Sequence, residues 1–410
     1  MSAKREYQLE RGHPCPPERE ARISVGARAS LPALARSANI SPLNETDKTN
    51  LADRLRERIR RAGPITFRDW MQAALYDRAE GYYCRRRIRQ GRAGDYRTAP
   101  ETSPLFGAVF AHYFMKSYFD LGAPDQFTII EIGGGAGDFA RAVLTTLQRE
   151  FPKVFNAARY IIDEISDDAR SQALTKLGEF KDRIQFESLS EIESPLPHAI
   201  IFANELLDAF PVNRVIGRSG KLCELRVGLN DEDEFTWIAD ELSDDVAEYC
   251  ERIRLQLAEG QIYEVNLAAE EFISRAAQVI GEGLLITVDY GSEREGLRND
   301  PNRLQGTLRA FHRHEFVDDL LARPGEYDLT TTVDWTQIQE AGTRHGFETL
   351  RFQRLDEFLL SEGAPDELFS IGNQIRDPVE LLNFNAGARE LIMPNGMAAS
   401  FQALVQRKAL

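Results

Sequence analysis

Cysteine is scarce in this chain of 410 residues, and the four present, Cys15, Cys84, Cys223 and Cys250, stand far apart. They form no Cys-x-x-Cys pair and no cluster with histidine, so neither a disulfide framework nor a metal site is indicated. A reducing compartment suits such a chain. Basic charge is also short: 50 Lys and Arg stand against 65 Asp and Glu, a net charge of −15. That balance argues against a protein that tracks nucleic-acid phosphates, and it leaves room for a cationic substrate. Long apolar runs are missing, and none reaches the roughly 18 residues that a membrane helix requires. No internal repeat is visible. What is present is a hydrophobic content of 42%, enough for one large domain or two at this length.

The chain is organised around FTIIEIGGGAGDFARAVL, Phe127 to Leu144. Phe127, Ile129, Ile130 and Ile132 read as a short buried strand. Four glycines follow within five positions, and a helical pattern starts at Asp138. Strand, glycine turn and helix make the first βα unit of a nucleotide-binding sheet. Glycines let a ligand approach the backbone, and the helix start offers free N–H groups. Two ligands compete for this turn. Gly135 to Ala140 fit the dinucleotide pattern G-x-G-x-x-A, which suggests an NAD-linked oxidoreductase, but a lone match of that kind is weak. The same stretch reads E-x-G-x-G-x-G through Glu131, Gly133, Gly135 and Gly137. An acid at the strand end suits a cationic cofactor better than a pyrophosphate, and S-adenosylmethionine, with its ammonium and sulfonium, is one.

The pattern before and after this unit is that of an α/β protein. Residues 1–46 read as a disordered tail. They are rich in Arg, but Glu6, Glu10, Glu18 and Glu20 break the acid-poor rule of a transit peptide. Residues 47–120 read as an N-terminal helical segment, with helices from Asp47 to Arg61, from a Thr66 cap through Leu75, and from Ser103-Pro104 through Tyr113. Between them lies a basic, glycine-bearing loop with Arg85, Arg86, Arg87, Arg89 and Arg92. Residues 121–340 read as the cofactor-binding domain. A second strand, Tyr160–Asp163, ends at Glu164, and an acid there is placed to bond ribose hydroxyls. A third strand covers Ile184–Phe186 and a fourth His198–Ala203. Residues 212–265 read as an insertion with strand-like pieces near Val215 and Leu225 and a helix from Asp244 to Leu257. A helix from Leu267 to Ile280 and a strand from Leu284 to Val288 follow. Thr331–Trp335 looks like strand leading into a helix at Thr336, and residues 341–410 read as a closing segment with a strand over Ala399–Lys408.

Ten segments in this order resemble the MidA-like family of S-adenosylmethionine-dependent methyltransferases: GPITFRDWM, EGYY, GDYRTAPETSPLFG, EIGGGAGDFA, YIIDEIS, ANELLDAFPV, EVN, VDYG, GTLRAFHRH and PGEYDLTTTVDW, from about Gly63 to Trp335. The resemblance implies a Rossmann-like class I methyltransferase sheet with an N-terminal helical segment and an insertion and C-terminal subdomain. It implies S-adenosylmethionine as cofactor and symmetric dimethylation of an arginine in a respiratory complex I subunit as the activity of its mitochondrial members. The location would be the mitochondrial matrix in a eukaryote and the cytoplasm in a bacterium. Asp95, Thr98 and Glu101 of the GDYRTAPE segment join Glu131, Gly133, Gly135, Gly137 and Glu164 on the cofactor side. One departure is Thr332, where the family usually has His.

Asn204, Glu205 and Asp208 sit after the fourth strand, at the end where open α/β sheets collect their chemistry. A guanidinium is a poor nucleophile because it is protonated and delocalised. Carboxylates accepting its N–H groups would fix its plane, and these three residues are the candidates for catalysis. They could instead cap a helix, with Asn204 as N-cap and the acids in the first turn. His312 and His314 are lesser candidates. A protein presenting an arginine is the expected partner. A small-molecule acceptor and a non-catalytic assembly chaperone remain open alternatives.

Overall fold

The computed structural model of the chain describes residues 50–85, 98–192, 195–312 and 315–409. The expectations for the 1–46 tail, for Arg86, Arg87, Arg89, Arg92 and Asp95, and for His314 lie outside the described residues. The described chain opens with helices α1 (Leu51–Ala62) and α2 (Phe67–Tyr76) around a two-residue strand β1 (Ile65–Thr66). Asn50 and Thr66 accept from Asp53 N at 2.9 Å and Asp69 N at 3.1 Å, so each helix starts on a side-chain cap. The first helix therefore begins at Leu51, four residues later than the sequence pattern suggests. A single turn α3 (Ala99–Thr102) and the long α4 (Leu105–Asp120) come next, with Pro104 at the start of α4.

The main sheet is then built from β2 (Phe127–Ile132), α5 (Asp138–Glu150), α6 (Pro152–Ala157), β3 (Ala158–Asp163), α7 (Asp167–Lys176), β4 (Ile184–Phe186) and β5 (Leu196–Asn204). The strands are parallel, in the order β4-β3-β2-β5. The chain thus winds outward from β2 to β4 and returns to the other side of β2, which makes the gap between β2 and β5 a switch point. An antiparallel excursion follows: β6 (Asn213–Arg218), β7 (Lys221–Leu229), β8 (Phe235–Asp240), α8 (Asp244–Arg252) and β9 (Ile262–Val265). With β1 these strands form a five-stranded sheet, so the insertion is also the seat of the N-terminal helices. Ser219 and Gly220, both at positive φ, turn β6 into β7. Helix α8 stops at Arg252, short of Leu257, because Arg254 turns left-handed and Leu255 N closes on Cys250 O at 2.8 Å.

The chain returns through α9 (Leu267–Val279) to β10 (Ile280–Ser292), which lies beside β5 and is longer than the Leu284–Val288 core marked by its apolar run. Helix α10 (Arg294–Asn299) leads to a small sheet of β11 (Arg309–His312), β12 (Glu315–Phe316) and β13 (Asp328–Thr330). Strand β14 (Val333–Asp334) is only two residues long, because Asp334 caps α11 (Trp335–Arg344) through Gln337 N at 3.1 Å. After β15 (Glu348–Arg354) come α12 (Leu355–Ser361), α13 (Ala364–Gly372), α14 (Pro378–Ile392) and β16 (Phe401–Lys408). Strand β16 inserts antiparallel between β10 and β15.

Parallel strands buried on both faces read as continuous apolar runs, and here successive residues serve opposite layers. Ile129, Ile200 and Ile286 pack toward α4, α5 and α12, whereas Ile130, Ile201 and Leu285 pack toward α9 and α11. Phe139 and Phe202 stack at 4.1 Å with ring planes 6° apart, fixing the start of α5 over β5. His112 on α4 meets Glu367 of α13 at 2.8 Å, which ties the C-terminal helices to the same layer.

Candidate functional site

Strand register brings the site together. Ile132 pairs with Asp163 on one side and with Ala203 on the other, and Asn204 pairs with Val288. The residues following β2, β3, β5 and β10 therefore leave the sheet along one edge, around the switch point. After β2, Gly133, Gly135 and Gly137 adopt φ of 71°, 53° and 82°, the left-handed region that a side chain resists. Gly133 N donates to Asp163 O at 2.7 Å, and Gly137 ends the turn where α5 begins.

The two acids ending β3 part company. Asp163 Oδ2 accepts from Leu189 N at 2.8 Å, on the side of the loop after β4. Glu164 turns to the glycines: its Oε2 accepts from Gly135 N at 2.8 Å and its Oε1 from Ser166 N at 2.7 Å. Burial raises the Glu164 carboxyl, and the backbone N–H groups oppose that rise. Glu131 lies beneath the turn. It is 5% exposed, and its Oε2 accepts from the Tyr160 hydroxyl at 2.8 Å. Burial pushes its carboxyl up to about 8, with the Tyr160 hydroxyl opposing that rise. Thr98 and Glu101 close a capping box on α3, with Thr98 N donating to Glu101 Oε2 at 3.3 Å.

No helix follows Asn204, so the capping alternative for Asn204, Glu205 and Asp208 is overturned. Residues 205–210 form bends and turns, and Glu205 sits at a φ of 50°. Such backbone is costly for a side-chain-bearing residue and is held by its surroundings. Asp289 does the holding here. It is fully buried in β10, one residue past the last pair with β5, and its Oδ2 accepts from Leu207 N at 2.9 Å and Asp208 N at 3.2 Å. Glu205 Oε1 accepts from Ala99 N at 3.2 Å and from Asn204 Nδ2 at 2.9 Å, so the β5 end is latched to α3. Asn204 Oδ1 is buried with no hydrogen-bond partner among the described residues. Burial, reinforced by the charge of Asp208, pushes the Glu205 carboxyl up to about 8. Burial also raises Asp208, while Tyr290 and the Arg309 guanidinium hold it down.

Sequence reasoning missed several residues here. Asp289 and Tyr290 belong to the VDYG segment and Arg309 to GTLRAF, but neither segment has a chemical role legible in one dimension. Tyr76, at the end of α2, carried no signal. Its hydroxyl donates to Ala209 O at 3.0 Å, its ring stacks on Tyr83 at 5.5 Å, and the charges of Asp208, Asp328 and Glu164 all reach it. The end of α2 thus reaches the turn after β5, near the acids on both sides of the switch point. His312 is turned to Glu326 O at 3.2 Å and packs edge-on to Tyr327.

A glycine turn aimed at a buried carboxylate, at the switch point of a parallel sheet, is the arrangement that a nucleoside cofactor requires. Residues 109–353 match the model of a family described as an S-adenosyl-L-methionine-dependent methyltransferase. The chain belongs to this family. Among similar proteins, the mitochondrial protein arginine methyltransferase NDUFAF7 of Bos taurus is 24% identical over 404 residues, covering 92% of this chain and 88% of that one. The NDUFAF7 homolog of Drosophila melanogaster is 25% identical, covering 74% and 72%. A COG1565 superfamily member from Burkholderia thailandensis, solved with S-adenosyl-homocysteine bound, superposes with a TM-score of 0.77 at 26% identity, covering 94% of this chain and 95% of that one. The protein is a methyltransferase with a Rossmann-like sheet, and its cofactor is S-adenosylmethionine, not the NAD that the overlapping pattern allowed. No helix among the described residues is long and apolar enough to cross a membrane.

Proposed function

We propose that this methyltransferase acts on an arginine side chain of a protein, with Asn204, Glu205 and Asp208 holding the acceptor. The observation that carries the reading is the latched turn after β5, where two carboxyls lie at the switch point with an amide oxygen that has no partner among the described residues. On the cofactor side, Glu164 and the backbone of Gly133, Gly135 and Gly137 would hold the nucleoside and its amino-acid tail, with Thr98 and Glu101 on α3 bordering them. Bound there, S-adenosylmethionine supplies an electrophilic methyl carbon on a sulfonium.

The protein's own groups have three tasks. Asn204 Oδ1 and the two carboxyls accept N–H bonds and fix the guanidinium plane. That placement concentrates a lone pair on the nitrogen aimed at the cofactor, and positioning of this kind carries much of the rate. Glu205, whose carboxyl burial pushes up to about 8, gives up its proton as a cation arrives and becomes its counter-ion. Asp208 then takes the proton released when the nitrogen is alkylated. Tyr76, buried within reach of the charges of Asp208 and Glu164, would keep water from the line of transfer.

The relatives named as protein arginine methyltransferases support the choice of acceptor. The test is incubation of the pure protein with labelled S-adenosylmethionine and a cell lysate, followed by hydrolysis. Label in a protein band, recovered as methylarginine, is the expected result. Label confined to small molecules would replace the acceptor, and no transfer at all would leave a binding protein that uses the fold to assist assembly.

A further inference from the structure

Two of the family-like segments, EVN and GTLRAF, are joined to each other and to the site. Glu264, on β9, accepts from Thr307 N at 2.7 Å and Thr307 Oγ1 at 3.0 Å, and its other oxygen accepts from Arg214 Nε at 3.1 Å. Gly306, at a φ of 81°, lies so close that a Cβ there would overlap Glu264 Oε1. Thr307 Oγ1 in turn accepts from Thr332 N at 3.1 Å. Two residues on, Arg309 pairs with Thr330 across β11 and β13 and lays its guanidinium over the Tyr290 ring at 4.8 Å. Next to Thr330, Thr331 N and Oγ1 donate to Asp208 O at 2.9 and 3.3 Å, which seats the Arg309 strand pair beside the turn after β5. The Nε of Arg309 is buried with no hydrogen-bond partner among the described residues, so satisfying that donor within them does not explain its place.

We propose that Arg309 is a positioning residue for methyl transfer: anchored through the Glu264–Thr307 tie and laid over the Tyr290 ring, it sets a fixed cation beside the turn that carries Asp208 and orders that turn for the acceptor. The charge inventory supports this. Asp208 faces Glu205 on its own turn, Asp289 and Tyr290 from β10, Tyr76 from α2 with Asp328 behind it, and Arg309 from β11. Acids crowded in low dielectric cannot all ionise, and the one beside a cation ionises first. Arg309 is that cation. Asp289, buried and facing the charges of Asp208 and Glu205, is raised well above the ordinary range. The inference rests on Asp208 as an acid of the acceptor site.

The experiment is label transfer from S-adenosylmethionine into whole lysate, protein and small-molecule fractions summed, from about pH 5 to about pH 9. Arg309→Met should move the acidic limb of the profile upward by about one unit, the effect of removing a nearby opposite charge. Arg309→Lys should restore most of it. Thr307→Val, which cuts the anchor and leaves the charge, should move the limb in the same direction by less. Calorimetric affinity for S-adenosylmethionine should stay level in all three. A fall in rate without a shifted limb in Arg309→Met would reduce Arg309 to a packing residue and overturn the inference. Asp208→Asn separates the two levels: full activity there overturns the acceptor-site reading, whereas a dead Asp208→Asn beside an unshifted Arg309→Met overturns this inference alone.

Discussion

Glu205 stands in left-handed backbone, latched to α3 and buried enough to hold a proton near neutral pH. Evolutionary tolerance of such strain is easiest to understand at a working site. Glu205→Gln and Asp208→Asn keep shape and remove charge, so methyl transfer should fall by about 10²-fold or more. Calorimetric affinity for S-adenosylmethionine should hold, because Glu164 and the glycine turn lie on the other strand ends. Full turnover in both variants would send the search to the Thr98–Glu101 turn. Glu131 makes a different prediction. Its carboxyl is about 8 in the folded protein, far above that of an unfolded chain, so the native state binds the extra proton between those two values. Stability is then greatest at the acid end of that interval and falls as pH rises toward 8. Glu131→Gln removes the titration and should flatten this decline in thermal melts. An unchanged slope would place the pH sensitivity elsewhere, with Asp163, pushed up to about 6, as the next source.

At the level of elements, the β2–turn–α5 unit is the most local feature, and its strand, glycines and helix start at Asp138 appear where the pattern placed them. Its function depends on backbone that only glycine adopts easily. Gly135→Val should abolish cofactor binding in calorimetry, since φ of 53° is strained for a branched side chain and Gly135 N is what meets Glu164. Retained affinity would mean that the cofactor does not approach this turn. The turn after β5 was harder to read, because Asn-Glu-x-x-Asp after a strand has the composition of a helix start. A buried acid 81 residues away, Asp289, takes the N–H groups of Leu207 and Asp208 that a helix would have used. The same holds for Arg309, Tyr290 and Tyr76: each matters through a neighbour distant in sequence, and no period or spacing reports that. The excursion from β6 to β9 reads as irregular because its strands pair with β1, more than 150 residues earlier, as well as with one another.

On the scale of the whole molecule, the order of strands decides what can be removed. Strand β16 fills the space between β10 and β15, and Ala403, Leu404 and Val405 are fully buried in the two layers. Removing residues 401–410 would strip paired backbone from two strands at once, so the truncated protein should be insoluble or unfolded. A soluble, cofactor-binding truncation would mean that the parallel half stands alone. The same arrangement sets a timetable for synthesis. Leu285 is made long before Gln406, its partner across the ladder. Throughout that interval the growing chain carries β10 with one side unpaired, an edge open to other strands. Closing a gap of such length is slow, and a half-built sheet with a bare apolar flank is what holding chaperones recognise. The nascent protein is therefore most vulnerable to aggregation after its cofactor turn has emerged and before its last strand arrives.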